Sequence, residues 1–258
     1  MLMPTNDSVK TLAIIVLYNP DFFILNRLLV SVIDQVNHII VVDNTPNSNL
    51  EIINVHLAAF LHKITYKSLT TNQGIAIAQN EGISFAKENS FTHVLLLDQD
   101  SELPRGMVSG LLIAEKQLLN KNIKVAAVGP SFIDEKTNEI APAINVKFMK
   151  VDRVEIDSNK SEIQSDYIIA SGSLIRIEVL DIVGLMDERL FIDWVDIEWG
   201  ERCSKFGYGT YIIPSVQMKH SIGDDFVKFL GRNINIHSDF RNYYIVRNAT
   251  YLMLSNKL

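Results

Sequence analysis

Over its first 130 residues the chain alternates buried-type strands with amphipathic helical segments, which predicts an α/β fold with a mostly parallel central sheet flanked by helices and a more irregular C-terminal half. Two observations carry the prediction. The runs TLAIIVLY (11–18), HIIVVD (38–43) and HVLLLD (93–98) are unbroken in apolar and β-branched residues, as strands covered on both faces must be. The segments between them space their apolar residues as helices do, and they are long enough to return the chain for a parallel neighbour.

Each element follows from its own pattern. The first strand stops at Asn19-Pro20, a turn signal. Phe22, Leu25, Leu28, Leu29, Val32 and Ile33 then mark one face of a helix over 21–35. The second strand closes at the turn-rich NTPNSN, and a helix near 49–61, the strand KITYKSL (63–69) and a helix near 74–88 follow. After HVLLLD come a helix over 105–120 and the strand KVAAVGP. Beyond Pro130, FIDEKTNEIAPAINVKFMKVDRVEI predicts one or two irregular hairpins, and DYIIASGSLIRIEVLDIVG reads as a strand, a small-residue turn and a short helix. FIDWVDIEWGERCSKFGYG reads as a loop entering a helix that ends at Gly207 or Gly209, TYIIPSVQMKH as a strand interrupted at Pro214, and 238–258 as a helix rich in aromatics. No linker-like stretch or internal repeat divides the chain, so a single domain over 1–258 is expected.

Charge and composition narrow the function. A formal net charge of -6 argues against a protein that lives on nucleic acid, where affinity comes largely from Lys and Arg against phosphate. The single Cys203 precludes an internal disulfide and fits a reducing compartment. The start, MLMPTNDSVK, has neither the basic end nor the apolar run of a secretion signal, and no apolar run approaches the roughly 18–20 residues that cross a bilayer, so a cytoplasmic location is expected. Asn256-Lys257-Leu258 end the chain inside a periodic apolar segment, which predicts further residues beyond Leu258. Neither GxxxxGK[ST] nor GxGxxG is present, so a phosphorylated ligand must be neutralised by a helix N-terminus, by placed Arg or Lys, or by a metal held on carboxylates.

In parallel sheets ligands collect at the carboxyl ends of the strands, and here those ends carry Tyr18 and Asn19, Asp43 and Asn44, and Asp98 to Asp100. One site is expected to gather all three. In an extended chain Asp98 and Asp100 point the same way with Gln99 turned aside, a pair suited to Mg2+ or Mn2+, although a turn aspartate capping the helix after Pro104 is the alternative. NQGIAIAQNEGI combines a capping Asn72 with Gly74 and Gly82, which permit close approach of backbone or ligand or simply a well-packed helix. In LFIDWVDIEWGER, Asp193, Asp196 and Glu198 are packed about Trp194 and Trp199, with Asp193 and Asp196 as i and i+3 neighbours on a helix. A carboxylate walled by indole suits general-base work, and acidic residues in a helix's first turn are the plainer reading. His220 ends an apolar strand, where it is either structural or a third metal ligand beside the carboxylates.

Taken in order, LYNPD, VVDNTP, NQGIAIAQNEGI, LLLDQDS, ASGSLIR, GLMDERLFIDWVDIEW and FRNYYIVRN resemble the family 2 glycosyltransferases of the GT-A type, most closely their bacterial rhamnosyltransferases. The resemblance spans nearly the whole chain. It implies a nucleotide-sugar-binding half over about 1–130 and an acceptor-binding half over about 131–258. It places Tyr18, Asn19, Asp43 and Asn44 at the donor's base and ribose, and Asn72 and Gly74 beside the nucleotide. Asp98, Gln99 and Asp100 stand in the DxD motif, whose carboxylates hold the Mg2+ or Mn2+ that bridges the diphosphate. Asp196 matches the catalytic base, with Val195 where many relatives carry glutamate and Asp193 as the second candidate; His220 matches a third metal ligand and Arg247 a residue that steadies diphosphate or acceptor. The implied activity is inverting transfer of L-rhamnose from dTDP-L-rhamnose to a surface-polysaccharide acceptor. The alternatives are a family 2 transferase with a UDP-hexose donor and a non-catalytic nucleotide-sugar binder of the same fold. The implied acceptor is an oligosaccharide, lipid-linked in many relatives, which would bring the enzyme to the inner membrane face. The tail DFRNYYIVRNATYLMLSNKL is then either an interfacial helix or one packed on the domain.

Overall fold

The structure is a computed structural model that describes residues 9–48, 50–134, 138–147, 150–220, 225–229, 232–236 and 238–255. In chain order its elements are β1 (Thr11–Leu17), α1 (Phe22–Val32), β2 (His38–Asp43), α2 (Leu50–Leu57), β3 (Ile64–Ser68), α3 (Ile75–Glu88), β4 (His93–Asp98), α4 (Met107–Asn120) and β5 (Val125–Asp134). The hairpin β6 (Ala143–Lys147) and β7 (Lys150–Val154) follows, then β8 (Ile163–Ser165), β9 (Ser173–Arg176), α5 (Ile177–Val183), α6 (Val195–Lys205) and β10 (Gly209–His220). The hairpin β11 (Asp225–Phe229) and β12 (Arg232–Ile236), which the sequence reading did not anticipate, precedes α7 (Asp239–Leu254).

Eight strands form the central sheet in the order β3-β2-β1-β4-β9-β5-β10-β8. Strands β3, β2, β1 and β4 run parallel, β9 runs antiparallel between β4 and β5, and β10 is again parallel to β5. The period-2 alternation of strand side chains divides the interior into two layers. Ala13, Ile15, Ile39, Val41, Leu95 and Leu97 pack with α1, α2 and α4. Leu12, Ile14, Ile40, Val42, Val94 and Leu96 pack with α3, α5 and α6. Helices thus cover both faces, which is why these strands contain no alternating polar residues.

Local chemistry explains the starts and close contacts. Asp21 caps α1, its carboxylate accepting from the N–H of Phe23 and Ile24 at 2.8 and 3.2 Å. Gly82 lets α3 lie directly on β1: a Cβ there would stand 2.5 Å from Ile14. Pro214 does not end β10, but the pairing to β5 shifts register between Ile213 and Gln217, as a residue without an N–H requires. The sequence reading put a strand on the wrong side of the Ser171-Gly172 turn. Residues 166–172 carry no strand, and the short strand β9 is SLIR beyond the turn. Both flanks are short apolar runs, and periodicity does not tell which one inserts between β4 and β5.

Candidate active site

The alternation that builds the core also aims the site residues. Along β4, Val94 and Leu96 face the α3/α6 layer, and Asp98 continues that series at the strand's end. Along β2, Ile39 and Val41 face the opposite layer, and Asp43 continues that one. A cleft of about 610 Å³ opens where β1 and β4 end, lined by Tyr18, Asn44, Asn72, Gly74, Asp98 and Gln99 from the sheet side. Phe191, Phe240 and Arg241 close it from the C-terminal half.

The turn carrying the carboxylate pair is tied on both sides. The Gln99 side chain accepts from the Tyr18 N–H at 2.8 Å and donates to the Tyr18 carbonyl at 3.2 Å. The buried hydroxyls of Ser101 and Ser171 meet at 2.5 Å, and the N–H of Gly172 donates to the Leu96 carbonyl. Helix α4 starts at Met107 with Gly106 at its cap, so neither aspartate caps it. Burial, then the charge of Asp100, push the Asp98 carboxyl up to about 6, with Arg241 opposing. Asp98 lines the cleft, whereas Asp100 is exposed and is not among its lining residues; two such oxygen-donor carboxylates that repel each other suit a hard divalent cation, which would relieve the repulsion. Among the described residues no group of three or more His, Cys, Asp or Glu is assembled.

The wall opposite is a loop held in costly conformations. Phe191 (φ 65°, ψ -66°), Asp193 (φ 60°) and Trp194 (φ 65°) all have positive φ, each of which costs roughly 1–3 kcal/mol in a non-glycine residue. Helix α7 holds them there. The fully buried Asn248 directs its side-chain amide N–H at the carbonyls of Leu190, Ile192 and Asp193 (2.8, 2.8 and 3.2 Å), and Arg247 donates to the Arg189 carbonyl at 2.6 Å. From the other side the N–H of Ile75 donates to the Phe191 carbonyl at 2.7 Å, so close that a Cβ on Gly74 (φ 89°) would fall 2.6 Å from that oxygen. The loop delivers Asp196 into the first turn of α6, where its carboxylate accepts from the Ile197 N–H at 3.1 Å. Burial outweighs that hydrogen bond and, with the charges of Asp98 and Asp193, pushes the Asp196 carboxyl up to about 6. A carboxyl with that proton affinity has the chemistry a general base needs.

Of the residues singled out in sequence, Tyr18, Asn44, Asn72, Gly74, Asp98 and Gln99 share the cleft. Asn44 donates to the Asn72 side chain at 2.8 Å and accepts from the Gln73 N–H at 2.7 Å, so it shapes the 72–74 turn. Asn72 accepts from the Gly74 N–H rather than capping α3, whose cap is Gly74 itself. Asn19 and Asp43 instead line a smaller neighbouring pocket beside α1 and α2. Asp43 is fully buried there, accepting from the Thr45 N–H and the Tyr66 hydroxyl. The expected single site is therefore two adjoining pockets, split by strand parity. Asp193 precedes α6 instead of sharing its face with Asp196, and it is ion-paired to Arg241 at 2.6 Å. Glu198 is buried against Arg202 at 2.6 Å. Arg247 is spent on Arg189, Asn248 and the face of Tyr244, away from the cleft. The backbone of His220 ends β10, and its side chain lies outside the described residues. Sequence reasoning missed Arg241 and Asn248, whose only signal was their place in FRNYYIVRN.

A carboxylate pair at the end of a parallel strand, with a second carboxyl of raised proton affinity on the same face of the sheet, is an arrangement able to serve transfer chemistry at an anionic group. Residues 13–183, from β1 through α5, match the family model Glycosyl transferase family 2; the chain belongs to that family and is a glycosyltransferase. It is similar to the dTDP-rhamnosyl transferase RfbF of Shigella flexneri, with 38% identity over 245 residues, 95% of this chain and 80% of that protein. Among solved structures it is similar to the crystal structure of GalNAc-T7 with UDP, GalNAc and Mn2+, with a TM-score of 0.66 and 18% identity over 88% of this chain. The chain spans 45% of that longer protein, and at this identity the likeness concerns the fold, so the expected GT-A architecture is borne out.

Proposed function

We propose that this glycosyltransferase moves L-rhamnose from dTDP-L-rhamnose, with inversion and with Mg2+ or Mn2+, onto an oligosaccharide acceptor of a surface polysaccharide such as O-antigen or capsule. One observation carries the mechanism: Asp98 and Asp196 sit on the same face of the sheet, on separate elements, near enough that the charge of Asp98 raises the proton affinity of Asp196. The donor assignment is supported by the similarity to the Shigella rhamnosyl transferase.

In this reading Tyr18, Asn44 and Asn72 border the nucleoside, and Asp98 and Asp100 hold the cation, which supplies Lewis-acid stabilisation of the leaving diphosphate. Arg241, whose Nε and Nη2 are held by Asp193, is the only cationic side chain lining the cleft among the described residues and adds positive charge toward the same oxygens in place of Arg247. On the other side of the anomeric carbon, Asp196 takes the proton of the acceptor hydroxyl. The hydroxyl oxygen bonds to that carbon as the bond to the diphosphate oxygen breaks, and dTDP departs with the electron pair. A lipid-linked acceptor would bring the enzyme to the inner membrane face, and α7 leaves Tyr243, Val246, Met253 and Leu254 exposed for such contact. Among the described residues no helix is long and apolar enough to cross a membrane.

A nucleotide-release assay with dTDP-L-rhamnose, UDP-glucose, UDP-galactose and UDP-N-acetylglucosamine tests the donor. Turnover of dTDP-L-rhamnose alone is expected, and turnover of UDP-glucose without dTDP-L-rhamnose would refute the rhamnose assignment. Asp196→Asn should abolish transfer while donor binding persists; undiminished transfer would leave only a binder's role for that carboxylate.

A further inference from the structure

A second cavity, of about 360 Å³, lies between the β6–β7 hairpin and residues 165–169, at the low end of the ~300–1,000 Å³ typical of small-ligand sites. It shares no lining residue with the donor cleft. We propose that it is the acceptor subsite and that it takes a sugar residue bearing a methyl group, as in a 6-deoxyhexose or an acetamido sugar. The assignment rests on the reading of Asp196 as base.

Position is the first argument. Ile168 lines both this cavity and the small pocket that contains Asp196 and Trp199. Helix α6 is seated on the same segment: a Cβ on Gly200 would stand 2.5 Å from the Asp166 carbonyl and 2.9 Å from the Tyr167 Cβ. Burial, then the charge of Asp196, hold the Tyr167 phenol above its usual range, which agrees with that proximity. Asp196 lines neither the donor cleft nor this cavity, but Ile168 and Tyr167 tie its pocket to this cavity and the charge of Asp98 reaches it from the donor side, the arrangement single displacement requires of a base that receives the acceptor's proton.

Chemistry is the second. The walls are aliphatic or aromatic at Phe132, Ile144, Ile168, Ile169 and Ile212. The hydroxyl of Ser165 is committed to the backbone of Ile144, donating to its carbonyl and accepting from its N–H, both at 3.1 Å. Arg153 and Tyr167 remain to meet acceptor oxygens. A fully hydroxylated hexose would strand hydroxyls against these walls, whereas a methyl group is removed from water by them.

The test uses dTDP-L-rhamnose labelled in the sugar with a membrane extract of the source cells as acceptor, scoring both incorporation and release of free rhamnose. Ile144→Trp and Ile169→Trp, which fill the cavity from two separate segments, should each lower incorporation at least tenfold while release of free rhamnose shows the donor site intact. Incorporation as in the unchanged enzyme, with either variant folded, would overturn the proposal. Added free L-rhamnose or N-acetylglucosamine should compete, whichever carries the required methyl group, and free glucose, which has none, should not. Equal competition by glucose, or none by the first two, would overturn the chemical class. If the unchanged enzyme neither incorporates nor releases rhamnose, the donor reading itself fails, a result distinct from the others.

Discussion

At the scale of single residues the decisive quantity is the proton affinity of Asp196, raised from 3.8 to about 6 chiefly by burial. The base works only when ionised, so transfer should fall about tenfold per pH unit below about 6, and Asp196→Asn should lose at least ~10²-fold at pH 7.5. Stability moves the other way. A carboxyl whose proton affinity is higher in the fold than in the unfolded chain contributes stability that is full below about pH 4 and is lost as pH rises through about 6. Asp196→Asn should therefore raise Tm at pH 7.5, by about 2–4 °C for each kcal/mol recovered, and leave it unchanged at pH 4; an equal Tm at pH 7.5 would contradict the origin assigned to the shift. Arg241→Ala should raise the donor KM at least tenfold, whereas Arg247→Ala should lower Tm and leave donor KM within about twofold. The sequence marks Asp98 as a charge ending a buried strand, but Asp43 ends one too and is a buried acceptor for Thr45 and Tyr66, so that signal alone does not separate cleft from core. Arg241 and Arg247 lie six apart on one aromatic helix, and nothing local tells which of them reaches the cleft.

At the scale of elements, the loop between the short turn Glu188–Leu190 and α6 positions the base, and α3 and α7 press it into place from opposite sides. Gly74→Ala meets both a positive φ and a 2.6 Å contact with the Phe191 carbonyl, so it should push the loop outward and lower kcat while costing about 1–3 kcal/mol of stability. Asn248→Ala leaves the carbonyls of Leu190, Ile192 and Asp193 without their shared donor and should act on the same loop, visible as a loss of kcat larger than the change in donor KM. Gly74 could be read in sequence as a place of close approach, but its neighbour is the backbone of Phe191, far along the chain, which no local pattern connects to it. Helix existence was legible from apolar spacing throughout α1 to α4. The strand β9 was not, since four residues between β4 and β5 carry no periodicity of their own.

For the whole molecule, the proposed function has a protein of net charge -6 bind an anionic donor at a cleft lined by Asp98. The parallel half of the sheet was predictable from its unbroken apolar strands. The insertion of β9, which sets β5 and β10 beyond it and carries the C-terminal half over the strand ends, emerges only from long-range packing. In this account a divalent cation reconciles the carboxylate pair with the diphosphate, and titration of dTDP into the enzyme with Mn2+ or with EDTA tests that directly. Affinity should fall at least ~100-fold in EDTA, and the Asp98→Asn/Asp100→Asn double variant should bind weakly in both conditions. Equal affinity with Mn2+ and with EDTA in the unchanged enzyme would contradict the account.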